Sequence, residues 1–109
     1  MDLLRQIRAL LRSVSTFSEM KVMDDPPTAS VPSWAVSYRG RRRSGAGFRD
    51  ICSVHLFAGP AYRPDIEDYI ANFVLFVSEL LLNENLLVGD AFRDDERGWA
   101  QVSIEVTEP

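Results

Sequence analysis

The sequence holds a single cysteine, Cys52, and a single histidine, His55. One cysteine cannot close an internal disulfide, and no cysteine–histidine spacing of a structural metal site occurs, so neither kind of staple is expected. A reducing cytoplasm suits such a chain. Long apolar runs are missing as well: IANFVLFVSELLL, the longest, is flanked by acids and falls short of the roughly 20 residues a membrane span needs. In the opening MDLLRQIRALLRSVS, arginines break up the leucines, so the apolar core of a secretion signal does not form. The expectation is a soluble protein without membrane contact. Catalytic signatures are equally scarce. GAG at 45–47 lacks the spacing of a phosphate loop and leads into no helix, and DDERG at 94–98 lacks the ligand spacing of a calcium loop. No neighbouring serine or acid is placed to make a triad with His55. Enzymatic activity, cofactors and metals are therefore not expected.

What is present is enough for one packed domain spanning 1–109. Apolar residues make up 46% of the 109 and charged residues 26%, a balance that buries a core and keeps the surface wet. The net charge of −4 argues against general polyanion binding. A local basic patch still acts within a Debye length, about 8 Å at physiological salt.

Leu3, Leu4, Ile7, Leu10, Leu11 and Val14 recur at helical spacing with Arg5, Arg8 and Arg12 opposite, which predicts a helix over residues 2–15. Residues 17–23 read as a short strand, stopped by the prolines at 26 and 27. Alternation over 33–39 aligns Trp34, Val36 and Tyr38, and over 48–58 it aligns Cys52, Val54 and Leu56, predicting two strands paired as a hairpin. Their connection reads as a mobile loop of about eight residues. Pro64 at a first-turn position, followed by Asp65, Glu67 and Asp68, starts a second helix running to about residue 82. Its apolar stripe is widened by Val74, Leu75, Phe76 and Leu82 beyond what one sheet face covers, implying a further partner: helix one or another subunit. A strand at 86–92, an acidic turn at 93–98 and a strand at 99–106 complete the chain. The predicted fold is α+β, a small, mostly antiparallel sheet with two helices packed on it, in the order helix-strand-strand-strand-helix-strand-strand.

The charges are unevenly placed. Residues 39–49 carry five arginines, namely Arg39, Arg41, Arg42, Arg43 and Arg49. Arginine forks suit phosphate oxygens, which admits a nucleic-acid module, but the run lacks interleaved stacking aromatics in an acidic chain. Contact with the carboxylates of another protein, or plain solvation of a turn, are the alternatives. Cys52, in the inward phase, reads as a small buried hydrophobe. His55, in the opposite phase, reads as a residue of the less buried face.

The order of elements resembles that of the tail terminator, or tail-completion, proteins of long-tailed bacteriophages. The likeness is carried by MDLLRQIRALLRSV, by ICSVHLFAGPAYRPDIEDYIANFVLFVSELL and by WAQVSIEV, and it covers nearly the whole chain. It rests on element order and size, because the family has no catalytic signature, and related neck and tail-tube proteins share the plan. The resemblance implies a structural virion protein assembled in the host cytoplasm. Its subunits form a homo-oligomeric ring, usually hexameric, that caps the tail tube and meets the head connector, with DNA passing transiently through the lumen. Loops and hairpin tips then make the contacts. Arg39, Arg41, Arg42 and Arg43 on one turn, with Asp94, Asp95 and Glu96 on another, are the expected subunit or tube contacts, and Arg41, Arg42 and Arg43 are candidates to face the lumen.

Overall fold

A computed structural model describes residues 2–14, 21–22 and 32–109. Helix α1 spans Asp2–Ser13, strand β1 Lys21–Val22, β2 Ser33–Ser44, β3 Gly47–Pro60, helix α2 Ile66–Asn83, β4 Leu87–Glu96 and β5 Trp99–Thr107. The architecture is α+β, as the hydrophobic periodicity predicts. The sheet order is β1-β2-β3-β5-β4, antiparallel throughout except for the parallel β1–β2 pair. The first strand was expected over 17–23; residues 17–20 and 23 lie outside the described residues.

Both helices pack on one face of the sheet. In α1, Leu3, Ile7 and Leu11 are buried at four-residue spacing, while Arg5 and Arg12 stay exposed. Arg8 bends back to donate from Nη2 to the Val36 carbonyl, 3.2 Å away, fastening the helix to β2. From α2, Ile66, Ile70, Phe73, Val77 and Leu81 face inward. They meet Trp34 and Val36 of β2, Cys52, Val54, Leu56 and Ala58 of β3, and Ala100, Val102, Ile104 and Val106 of β5 in one cluster. Each fully buried aliphatic side chain there contributes about 1.5–3 kcal/mol against the entropy of ordering the chain. Helix α1 also touches α2, which supplies part of the further packing that the wide stripe implied. Val74 is half-buried against the core, but Leu75, Phe76 and Leu82 remain exposed.

Helix α2 begins at Ile66, so Pro64, expected in its first turn, lies just before it. Asp65, not Pro64, occupies the N-cap, and its carboxylate is taken by Arg63 Nε at 2.6 Å rather than by a backbone amide. The C-terminus closes with paired hydrogen bonds: Leu86 N–H donates to the Leu81 carbonyl at 3.1 Å and Asn85 N–H to Leu82 at 3.0 Å. Asn85 adopts φ 61 between them, the left-handed cap that asparagine tolerates best after glycine. Buried Leu86 then leads directly into β4.

Two expectations about loops are corrected. The connection after β2 is no eight-residue mobile loop: Gly45-Ala46 alone turns the chain, Ser44 pairs with Gly47, and the arginines lie within the ladder. Gly45 has φ +59, which meets the demand of a II′-type turn on its first position. Likewise 93–98 is no acidic turn. Arg93, Asp94, Asp95 and Glu96 belong to β4, and the turn is Arg97-Gly98, with φ 54 and 78, both positive as a I′-type turn requires. The reason is common to both. Residues of both phases are exposed in these segments, so charged side chains stay hydrated while their backbones keep the ladder hydrogen bonds.

Candidate functional site

The two hairpin ends define the long axis of the molecule. β3 runs from Gly47, beside the Gly45-Ala46 turn, to Pro60, which pairs with Trp99 beside the Arg97-Gly98 turn. Fourteen residues at about 3.3 Å each account for most of the 46 Å longest dimension. The arginine turn and the acidic end therefore sit at opposite poles.

At the arginine pole the last contact with β5 is the Ile51–Thr107 pair. Beyond it four residue pairs, from Arg41–Asp50 to Ser44–Gly47, project as a two-stranded ribbon, roughly 13 Å long at the usual strand rise. Arg41 Nε lies 3.0 Å from Asp50 Oδ1, which also accepts the Tyr38 hydroxyl at 3.0 Å. The hydrogen bond and charge of Asp50 hold the Arg41 pKa above its ordinary value. Asp50 N–H in turn donates to Glu108 Oε1 at 3.1 Å. Arg42 Nη1 reaches Glu105 Oε1 at 3.1 Å. Arg39, Arg43 and Arg49 make no ion pair among the described residues. Arg42 stands directly across from Arg49, a like-charge pair whose repulsion Glu105 offsets at Arg42, and Arg43 faces Phe48, which is 67% exposed.

At the acidic pole the three expected acids separate. Asp95 is held bidentately by Arg93, Nε to Oδ1 at 3.0 Å and Nη2 to Oδ2 at 3.2 Å, and Arg93 also pairs with Glu67 in the first turn of α2. Asp95 and Glu67 together raise the Arg93 pKa. Asp94 and Glu96 fall in the other phase of β4, exposed and without an ion pair among the described residues. The Ala61 N–H donates to the Gly98 carbonyl at 2.7 Å, pinning the turn to the chain leaving β3.

The structure thus leaves each pole its charge but moves the residues from turns to strands. Arg41, Arg42 and Asp95 are engaged within the chain, whereas Arg39, Arg43, Asp94 and Glu96 have no ion-pair partner among the described residues. Arg49 joins the arginine set through register rather than sequence adjacency.

No protein-family model and no curated protein matches this chain.

His55 corrects another expectation. Serines do stand beside it, on the strands either side: Ser37 Oγ lies 2.8 Å from Nε2 and Ser103 Oγ 2.8 Å from Nδ1. The signal was legible only as register, with Ser37 and Ser103 each out of phase with the buried Val36 and Val102. Burial, and secondarily the charge of Arg39, lowers the His55 pKa, so the imidazole is neutral at pH 7. Cys52 is buried as its phase predicts. Burial first, then Asp50 and Glu108, pushes its thiol up to about 11, which disfavours the thiolate. Among the described residues no cluster of histidine, cysteine and acids has the makings of a metal site, and no helix is long and apolar enough to cross a membrane.

Proposed function

We propose that this protein is a structural virion subunit of a long-tailed bacteriophage, a tail terminator that forms a ring capping the tail tube and joining it to the head connector. The observation that carries the reading is the opposition of charge along the long axis: an arginine ribbon at one pole, free carboxylates of Asp94 and Glu96 at the other. Unlike ends favour a heterologous, head-to-tail contact, and such contacts close into a ring when the rotation per subunit allows it. Exposed Leu75, Phe76 and Leu82 on α2 supply apolar area beside that contact. The element order, common to terminators, neck proteins and tube proteins, supports the same reading.

Because Arg41 and Arg42 are engaged within the chain, the contact rests on Arg43 and Arg49, with Arg39 at the base of the ribbon. The double reversal Arg43→Glu with Arg49→Glu abolishes ring formation seen by native mass spectrometry and electron microscopy, and tail joining in a complementation assay fails. Adding Asp94→Lys and Glu96→Lys to the same chain restores the charge match and part of the assembly. Unchanged rings and tail joining in the double reversal would sink the assignment.

One observation favours a second reading, a nucleic-acid-binding module. A two-stranded ribbon fits the major groove, and this one carries unpaired Arg43 and Arg49 beside exposed Phe48. That reading demands duplex or single-strand binding that weakens steeply with salt. Absence of binding at low salt removes it, and in the ring reading DNA contacts the arginines only in passing.

A further inference from the structure

The open face of the sheet, opposite the helices, holds a cavity of about 260 Å³ lined by Arg39, Ser53, His55, Phe92, Ser103 and Glu105. Two strand irregularities flank it. On β2 the register shifts between Tyr38 and Gly40, leaving Arg39 as the extra residue of a bulge, and on β4 it shifts between Val88 and Ala91, opposite Glu105. Bulges re-aim side chains and recur at the rims of binding sites. Gly89 belongs to the second, where an added Cβ would come within 3.3 Å of Glu105 Cβ. The absence of a side chain there lets Glu105 lie back toward Arg42.

The polar groups facing this cavity include several that can donate into it, the Arg39 guanidinium and the Ser53 and Ser103 hydroxyls. Ser53 is only 7% exposed, yet its hydroxyl has no hydrogen-bond partner among the described residues. That oxygen is not itself sealed off: it opens into the cavity and is free to hydrogen-bond an occupant there. The Arg39 guanidinium has no carboxylate partner among the described residues. The one acid of the lining, Glu105, is neutralised by Arg42 at 3.1 Å. His55 adds direction. With its proton on Nδ1, the ring donates to Ser103 Oγ and accepts from Ser37 Oγ at Nε2, which leaves the Ser103 O–H free to donate into the cavity. Phe92 closes one side with an apolar wall. The volume is below that of pockets for drug-sized molecules, so the occupant is small.

We propose that this cavity is a binding site for a small oxyanion, a phosphate or carboxylate group, gripped by the Arg39 guanidinium and the Ser53 and Ser103 hydroxyls while His55 orients Ser103. The site adjoins the base of the arginine ribbon and shares Arg39 with it, but its oxyanion chemistry does not depend on the assembly reading.

The test is a titration of the intact chain with inorganic phosphate, and in parallel with acetate, followed by ¹⁵N and ¹H resonances of the His55 ring and of Ser53 and Ser103. Saturable shifts at these residues are expected, with His55 Nδ1 appearing as the protonated nitrogen in the bound state. The arm that saturates at lower concentration identifies the anion class. Arg39→Gln and Ser53→Ala each weaken binding about tenfold while melting normally. Arg43→Gln with Arg49→Gln leaves it unchanged, which separates the cavity from general attraction to the ribbon. If neither anion perturbs the His55 ring at millimolar concentration, or if the ribbon variant alone removes the response, the site does not exist as described.

Discussion

The β2–β3 and β4–β5 hairpins both reverse direction in two residues, yet they stand in opposite relation to the core. The arginine ribbon leaves the sheet beyond the Ile51–Thr107 pair and is joined to the rest by the Arg42–Glu105 ion pair and the Asp50–Glu108 hydrogen bond. The acidic end is tied down by Arg93 bridging β4 to α2 and by the Ala61–Gly98 hydrogen bond. Energy and function are thus separated along one pair of strands. β2 begins with buried Ser33 and Trp34 and ends in the exposed ribbon, where Arg41 and Arg42 are held by carboxylates and Arg43 makes no ion pair among the described residues.

The strongest way to break this contrast is at the buried root. Trp34→Ala is expected to cost about 3–5 kcal/mol in chemical denaturation, whereas Arg43→Ala on the same strand stays within about 0.5 kcal/mol. Comparable losses from the two substitutions would show that the ribbon is part of the folding unit.

A smaller effect sharpens the comparison of the turns. Valine at either left-handed glycine carries about 1–2 kcal/mol of backbone strain. In Gly98→Val that strain registers in global stability, because the turn is pinned at Ala61. Gly45→Val is absorbed by local opening of the ribbon. Hydrogen exchange distinguishes them: Gly45→Val accelerates amides of 41–50 alone, and Gly98→Val accelerates those of β3, β4 and β5 together. Equal, global acceleration in both variants would contradict the separation.

The smallest effect is a pH dependence arising between the two ends, at His55. Its folded pKa lies below the ordinary 6.5 because burial and Arg39 penalise the imidazolium. The folded state therefore binds fewer protons than the unfolded chain. The stability this provides is complete above pH 6.5 and is lost as pH falls toward and through the depressed value. His55→Gln should flatten that part of the stability profile measured between neutral and mildly acid pH. An unaltered slope would assign it to other groups.

Much of the fold was legible because periodicity is a local property. Leu3, Ile7 and Leu11 repeat every four residues, and Ala100, Val102, Ile104 and Val106 every two, so helix face and strand face are written in the spacing itself. The turns were misplaced for an equally local reason. Charged residues are poor strand formers on average, and the runs at 39–43 and 93–96 read as loops. Cross-strand hydrogen bonds overrode that preference, leaving Gly45 and Gly98 as the residues that needed to turn. The site was legible only as composition. Arg49 entered the ribbon by pairing with Arg42, and Asp95 left the acidic group by alternation toward Arg93.

By itself the sequence determined the class of fold, the two amphipathic helices, the buried strand phases and the concentration of opposite charges in two segments, because each depends on residues near one another in the chain. Only the tertiary structure decided that those segments are ribbons at opposite poles, that Arg41 and Arg42 are engaged while Arg39, Arg43 and Arg49 make no ion pair among the described residues, and that Ser37, His55 and Ser103 meet in one row. Register sets those relations, and register is chosen by the whole buried face at once: a slip of one residue would turn every core side chain of β3 to the open face.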